Sequence, residues 1–276
     1  MKHLIRLSDY SKEDIKEIFN IADQLKQGKY REFLKGKTIV MFFPESSIRT
    51  RVTFEKGIYL LGGQSILFSP ETLNKKEEIQ DVVGYLNNWA DGLIVRYKDI
   101  TMLENMTKYA KMPIINALTD INHPCEMLAD MYSLSQIREN FIKDRYLFVG
   151  ANGNIGLAWK EASQVMGFSL EQCCPYGYEM PETTVLHNLD KAICDKDIIC
   201  TDSLSRDELK DFTDYQVTYQ RMEHANKNAI LNPCPPFYRG EEVSEDAIES
   251  KYFVGYEFKK SLLEIQQAVL IFNMMS

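Results

Sequence analysis

The stretch Thr38-Ile-Val-Met-Phe-Phe-Pro-Glu-Ser-Ser-Ile-Arg-Thr-Arg-Val-Thr-Phe54 decides the fold. Thr38–Phe43 is a short, nearly all apolar or β-branched run, which reads as a buried strand. Beyond it Phe54, Ile58 and Leu61 recur at helical spacing, so a helix follows with one face in the core. Between strand and helix stand hydroxyls and arginines. A helix start offers free N–H groups and a positive dipole end, so Ser47, Arg49 and Thr50 would surround an anion site. An arginine grips a phosphate bidentately, as lysine cannot. The plainer alternative is an ordinary Ser/Thr helix cap with solvated arginines.

Working outward, the same alternation repeats. Ser11 opens a first helix with Asp14 as its capping partner, and Gly28 ends it. Strands are predicted near 38–43, 64–68, 92–96 and 113–116, with helices near 50–61, 76–88 and 101–110 between them. A long helix starts at Pro124. The pattern then restarts, with strands near 146–149, 168–173, 197–201 and 228–232 and a helix from about 154. Leu262–Met275 is apolar and helical, and is expected to pack back on the first half. Two runs of strand–helix alternation predict an α/β protein of two parallel-sheet domains joined by long helices. The domains are expected at residues 1–136 with a C-terminal helix 258–276, and at 137–257.

Composition narrows the function. A net charge of −8 argues against broad nucleic-acid or anionic-membrane binding, so an anion site must be local. No apolar run is long enough to span a bilayer, and the N-terminus shows no secretory signal. The cysteines at 125, 173, 174, 194, 200 and 234 form no Cys-x-x-Cys pair and lie mostly in apolar runs, which suggests reduced thiols in a cytoplasmic protein. The histidines lack metal-ligand spacing, so neither a metal nor another cofactor is expected.

Ligands of such sheets collect at the carboxyl ends of strands. Four candidate clusters fall there: Ser47–Arg51; Arg96, ending Gly92–Val95; His123-Pro-Cys-Glu126, with Pro124 suited to the first helical position; and the proline-rich Asn232-Pro-Cys-Pro-Pro-Phe-Tyr-Arg-Gly-Glu-Glu242. Singly, each has a bland explanation: Arg96 pairing a surface acid, His-Pro merely opening a helix.

In this order the clusters resemble the aspartate/ornithine carbamoyltransferase family, closest to its ornithine branch. Ser47-Ile-Arg-Thr-Arg51 resembles the family's Ser-Thr-Arg-Thr-Arg, and Asp120-Ile-Asn-His-Pro-Cys-Glu-Met-Leu-Ala-Asp130 resembles its His-Pro-x-Gln frame. Asn232-Pro-Cys-Pro with Arg239-Gly-Glu-Glu-Val243 resembles His-Cys-Leu-Pro followed by Arg-Gly-Glu-Glu-Val. The resemblance implies a homotrimer, or a multiple of one, that transfers a carbamoyl group from carbamoyl phosphate to an amine, most closely ornithine giving citrulline. It implies a carbamoyl phosphate-binding first domain, with Ser47, Ile48, Arg49, Thr50, Arg96, His123 and Glu126 at the ligand. Lys76 would be lent by a neighbouring subunit. Arg96, His123 and Thr50 would be the catalytic donors to the carbonyl oxygen. In the acceptor domain, Asn154, Asp202, Cys234 and Pro235 would hold the amino acid.

Departures are equally legible. Glu126 stands where the family has Gln, and Leu262 falls near a family arginine that only Lys259 or Lys260 could partly replace. Ser203-Leu-Ser-Arg206 replaces the ornithine branch's Ser-Met-Gly loop. Other acceptors (an acylated ornithine, lysine, putrescine) or a binding protein that has lost turnover are therefore alternatives. A nucleotide-dependent oxidoreductase is another, because Gly150, Gly153 and Gly156 sit between strand and helix. Their spacing is G-x-x-G-x-x-G, however, and Glu171, about 20 residues on, lies inside a strand-like run rather than at its end.

Overall fold

The computed structural model describes residues 2–275. The chain divides into two compact units, one formed by the chain up to Leu134 with Lys259 onward, the other by Ser135–Phe258.

The first unit begins with α1 (Lys12–Lys26), whose capping box is closed: Ser11 Oγ accepts from the Asp14 N–H and the Asp14 carboxylate accepts from the Ser11 N–H. Then follow β1 (Thr38–Phe42), α2 (Arg49–Leu60), β2 (Gln64–Phe68), α3 (Ile79–Leu86), β3 (Gly92–Arg96), α4 (Ile100–Thr107), β4 (Ile114–Leu118) and α5 (Pro124–Ile137). The sheet is parallel, in the order β2-β1-β3-β4. Strands β1, β3 and β4 are buried along nearly their whole length, as expected for strands covered on both faces. Edge strand β2 is largely exposed. α3 is shorter than its apolar pattern predicts because Lys75–Glu77 stays in bends.

The second unit holds β5 (Arg145–Val149), α6 (Asn154–Met166), β6 (Ser169–Cys173), β7 (Thr184–Leu186), α7 (Leu189–Ala192), β8 (Ile198–Thr201), α8 (Glu208–Asp211), α9 (Tyr219–Met222), β9 (Ile230–Pro233) and α10 (Glu245–Ile248). Its parallel sheet runs β7-β6-β5-β8-β9. β7, absent from the sequence reading, is a three-residue edge strand too short to show a period. Finally α11 (Leu262–Met275) returns to the first unit, where it packs against α1 and α2. Gln267 Nε2 donates to the Gly57 carbonyl at 3.0 Å, and Tyr10 Oη donates to Asn273 Oδ1 at 2.6 Å.

Two of the three nucleotide-like glycines, Gly150 and Gly156, have a packing cause. A Cβ on Gly156 would lie 2.6 Å from Phe148 Cε1 and 2.8 Å from Met180 Sδ, and one on Gly150 2.9 Å from Phe148 Cζ. The first turn of α6 is pressed onto the Phe148 ring, so these positions demand glycine without any ligand. Glu171 is committed to Lys196, at 2.6 Å.

Candidate active site

In the first unit three adjacent strands deliver the candidate residues, because β1 neighbours β3 and β3 neighbours β4. The loop after β1 leads into α2 with Ser47 and Thr50 buried, and Ile48 and Arg49 exposed. The capping alternative fails here. Ile48 occupies the N-cap, and no side chain caps the helix. Ser47 Oγ instead accepts a hydrogen bond from Arg96 Nη1 at 3.0 Å. The first turn of α2 carries no acidic residue, so its N–H groups and dipole face no carboxylate of their own helix. Arg51 is spent on Glu55, 2.8 Å away one turn on, which leaves Arg49 as the arginine of the motif exposed beside Ser47.

Arg96 ends β3 where the pairing with β4 slips: Val95 faces Asn116, but Arg96 faces Leu118. Such a bulge re-aims a side chain. Its consequence is the bond to Ser47. Burial and the nearby Arg49 charge both hold the Arg96 guanidinium below its ordinary pKa. Two guanidiniums in one another's field are a site that a dianion would neutralise.

His123 precedes Pro124, the first residue of α5, and the loop before it is locked from within. Thr119 Oγ1 and Asn116 Nδ2 both donate to Asn122 Oδ1, at 2.9 and 2.6 Å. Asn116 and Asn122 also donate to the Ile5 carbonyl, at 2.8 and 3.2 Å. The imidazole is 5% exposed, and its Nδ1 has no partner among the described residues. Burial pulls its pKa down to about 4; Glu126 opposes this, while Arg96 and Lys259 add to it. His123 is therefore neutral near pH 7 and can donate one N–H.

One turn into α5, Glu126 is buried but ionised. Burial alone would raise its pKa, yet the Lys259 ammonium bonded to it, with the Arg49 charge nearby, brings it below the ordinary value. Lys259 Nζ lies 2.8 Å from Glu126 Oε1 and 2.5 Å from Asp130 Oδ1. Sequence reasoning missed the Asn116–Thr119–Asn122 lock and the role of Asp130 as second partner of Lys259. Nothing in a linear sequence joins Lys259 to residues 133 and 129 positions away. Lys76 sits on an exposed bend before α3, away from the sheet core.

In the second unit Asn154, Asp202 and Cys234 lie just beyond the carboxyl ends of β5, β8 and β9, again neighbours in the sheet. Asn154 opens α6, Asp202 Oδ1 accepts from the Ser203 N–H at 2.9 Å, and the Cys234 N–H donates to the Thr201 carbonyl at 3.0 Å. Pro235 follows at the half-buried start of the proline-rich loop. Cys125, 173, 174, 200 and 234 are buried free thiols and Cys194 is an exposed one. Among the described residues no group of three or more His, Cys, Asp or Glu is placed to hold a metal ion, and no helix is long and apolar enough to cross a membrane.

A parallel α/β unit that gathers a helix start, two guanidiniums, a buried hydroxyl and a neutral imidazole at three strand ends is one built to handle a small, multiply charged anion. Comparison with known proteins carries this further. Residues 2–136 match the family model for the aspartate/ornithine carbamoyltransferase carbamoyl-P binding domain, and residues 143–273 match that for the Asp/Orn binding domain. The chain is 31% identical to an ornithine carbamoyltransferase of Desulfotalea psychrophila (97% of each chain covered). It is 33% identical to that of Hydrogenovibrio crunogenus, covering 99% of this chain and 98% of the relative. The solved ornithine carbamoyltransferase from Pyrococcus furiosus superposes with a TM-score of 0.94 at 30% identity, covering 100% of this chain and 97% of that one. The chain belongs to the aspartate/ornithine carbamoyltransferase family, and it is a carbamoyltransferase enzyme.

Proposed function

We propose that the protein transfers the carbamoyl group of carbamoyl phosphate to ornithine, giving citrulline and phosphate. The observation that carries this reading is the convergence of Ser47, Arg49, Arg96 and neutral His123 at the carboxyl ends of β1, β3 and β4. The unit formed by the chain up to Leu134 with Lys259 onward is the carbamoyl phosphate-binding domain in this reading, and Ser135–Phe258 the acceptor domain.

Each residue then has a task. Arg49, the Ser47 and Thr50 hydroxyls and the amides from Ile48 onward hold the phosphate dianion. The amine nitrogen attacks the carbonyl carbon; as the new C–N bond forms, charge builds on the carbonyl oxygen. Arg96, His123 and the Thr50 hydroxyl donate to that oxygen. The C–O bond to phosphate breaks, and the departing phosphate takes the proton released by the amine. No covalent enzyme intermediate is required, so positioning and electrostatics supply the rate. Asp202 holds the acceptor's amine side, Asn154 its amino-acid end, and the carbonyls of Cys234 and Pro235 its N–H groups. Lys76 completes the phosphate site of a neighbouring copy in a homotrimer. That assembly is supported by apolar side chains that the first unit leaves exposed: Ile48 and Val52 at the start of α2, Ile66 and Phe68 on β2, Tyr85 and Trp89 around α3. The free thiols support a cytoplasmic setting.

The test is citrulline formation from carbamoyl phosphate and ornithine, with acetylornithine, lysine and putrescine as competing amines. Ornithine as the preferred acceptor supports the reading. Phosphate release without carbamoylation of any amine overturns it.

A further inference from the structure

Among the places where this chain departs from the family it resembles, Glu126 is the one to which the structure gives a partner. Glu126 and Asp130 lie one turn apart on α5, two like charges on one helix face and both buried. Such a pair is costly without a cation. The cation arrives from the 3-10 turn Tyr256–Ser261, where Lys259 Nζ bridges the two carboxylates. All three side chains are largely withdrawn from water, at 19% exposure for Lys259, 7% for Glu126 and 2% for Asp130. The charged and titratable groups around Glu126 are Lys259 from this turn, Arg49 from α2, Asp130 along its own helix, and the neutral His123 just before that helix; the Cys125 thiol adjoins it.

We propose that Lys259 is a positioning residue for carbamoyl phosphate: it holds Glu126 as an acceptor-only carboxylate that takes a hydrogen bond from the carbamoyl –NH2. This deepens the function proposed above and rests on it. An ionised carboxylate has acceptors and no donor, so it matches a group bearing N–H and rejects one that offers an oxygen or a methyl. Without compensation the same charge would repel the phosphate dianion. Lys259 removes that penalty without occupying the phosphate site, because its ammonium is engaged by Glu126 and Asp130. The pairing also accounts for two departures together. A carboxylate where the family has an amide needs a nearby cation, and a lysine ahead of α11 supplies it although Leu262 occupies the arginine's place.

The experiment measures KM for carbamoyl phosphate and kcat from about pH 5.5 to about pH 8.5, a window above the His123 titration, for the wild type, Lys259→Met, Lys259→Arg, Glu126→Gln and the double variant. Lys259→Met should raise KM about tenfold or more at the alkaline end, and the loss should shrink as pH falls and Glu126 takes a proton. Adding Glu126→Gln should remove most of that pH dependence, leaving only what Asp130 contributes, and return KM to within about threefold of the wild type, while Lys259→Arg stays near it. A Lys259→Met effect that is equal at every pH, or unrelieved by Glu126→Gln, overturns the proposal. Should Lys259→Met not fold, the wild type against Glu126→Gln decides. An acid limb in the wild-type KM that Glu126→Gln removes would mean Glu126 is not held ionised, whereas indistinguishable pH profiles support the proposal. A wild-type protein that makes no carbamoylated amine fails the functional reading itself, an outcome separate from any of these.

Discussion

Arg96 separates the cost of function from the cost of folding. Replacing it with Met keeps much of the apolar stem but removes the guanidinium, including the 3.0 Å bond from Nη1 to Ser47 Oγ. That bond contributes about 1 kcal/mol. Against it, burial and the Arg49 charge both disfavour the Arg96 cation in the folded state. A depressed cation pKa means the unfolded chain holds that charge more readily, so removing the charge relieves the native state wherever arginine is protonated. The two effects oppose one another, and stability should change by no more than about 1 kcal/mol in either direction. Catalysis gains nothing in return. Losing one donor to a developing oxyanion costs on the order of 100- to 1000-fold in kcat. Steady-state citrulline formation and thermal melting without substrate, on the same preparation, measure both quantities. A kcat within about threefold of the wild type would refute the role given to Arg96. A melting point lowered by many degrees would show that its charge supports the fold after all.

Three further outcomes follow from the same physics. His123 has its pKa lowered from 6.5 to about 4, so the unfolded chain binds the extra proton first. The stability its neutrality contributes is present above about pH 6.5 and is lost as pH falls toward 4, by on the order of 3 kcal/mol. His123→Gln should flatten the acid decline of the melting temperature across that window; an unchanged decline contradicts the assignment. Glu242 is raised from 4.5 to about 7 by burial, although its Oε1 accepts from the Tyr238 N–H at 2.8 Å. Here the sign reverses: the protonated form favours the fold, and its contribution disappears as pH rises from about 4.5 through 7. Glu242→Gln should therefore raise the melting temperature above pH 7 and leave it nearly unchanged at pH 4. Gly156→Ala should destabilise by about 1–3 kcal/mol, because its Cβ would press on Phe148 and Met180. Chemical denaturation measures that loss, and a neutral result would mean α6 shifts freely.

The fold was legible where local physics decides it. β1, β3 and β4 are continuous apolar runs because both of their faces are covered, and Ser11 with Asp14 announces α1 by side-chain chemistry alone. β7 was not legible, since Thr184–Leu186 is an edge strand of three residues that takes its shape from β6. In the candidate site the residue types could be read, but their contacts could not. Ser47 reads as a helix cap or a ligand hydroxyl; only the folded chain shows it accepting from Arg96, 49 residues away. The bulge that turns Arg96 is a register slip between β3 and β4, with no mark in either strand's composition. In the sequence Glu126 is only a carboxylate where the family has an amide. Its compensation comes from Lys259 in a turn outside every motif.

The central claim is that Arg49 and the start of α2 hold a phosphate dianion, and calorimetric titration of carbamoyl phosphate into the wild type and Arg49→Ala tests it most directly. Arg49 is exposed, so its removal should leave the fold intact and weaken binding by on the order of 2–3 kcal/mol, about 30- to 150-fold in Kd. An Arg49→Ala protein that binds carbamoyl phosphate as tightly as the wild type would contradict the account.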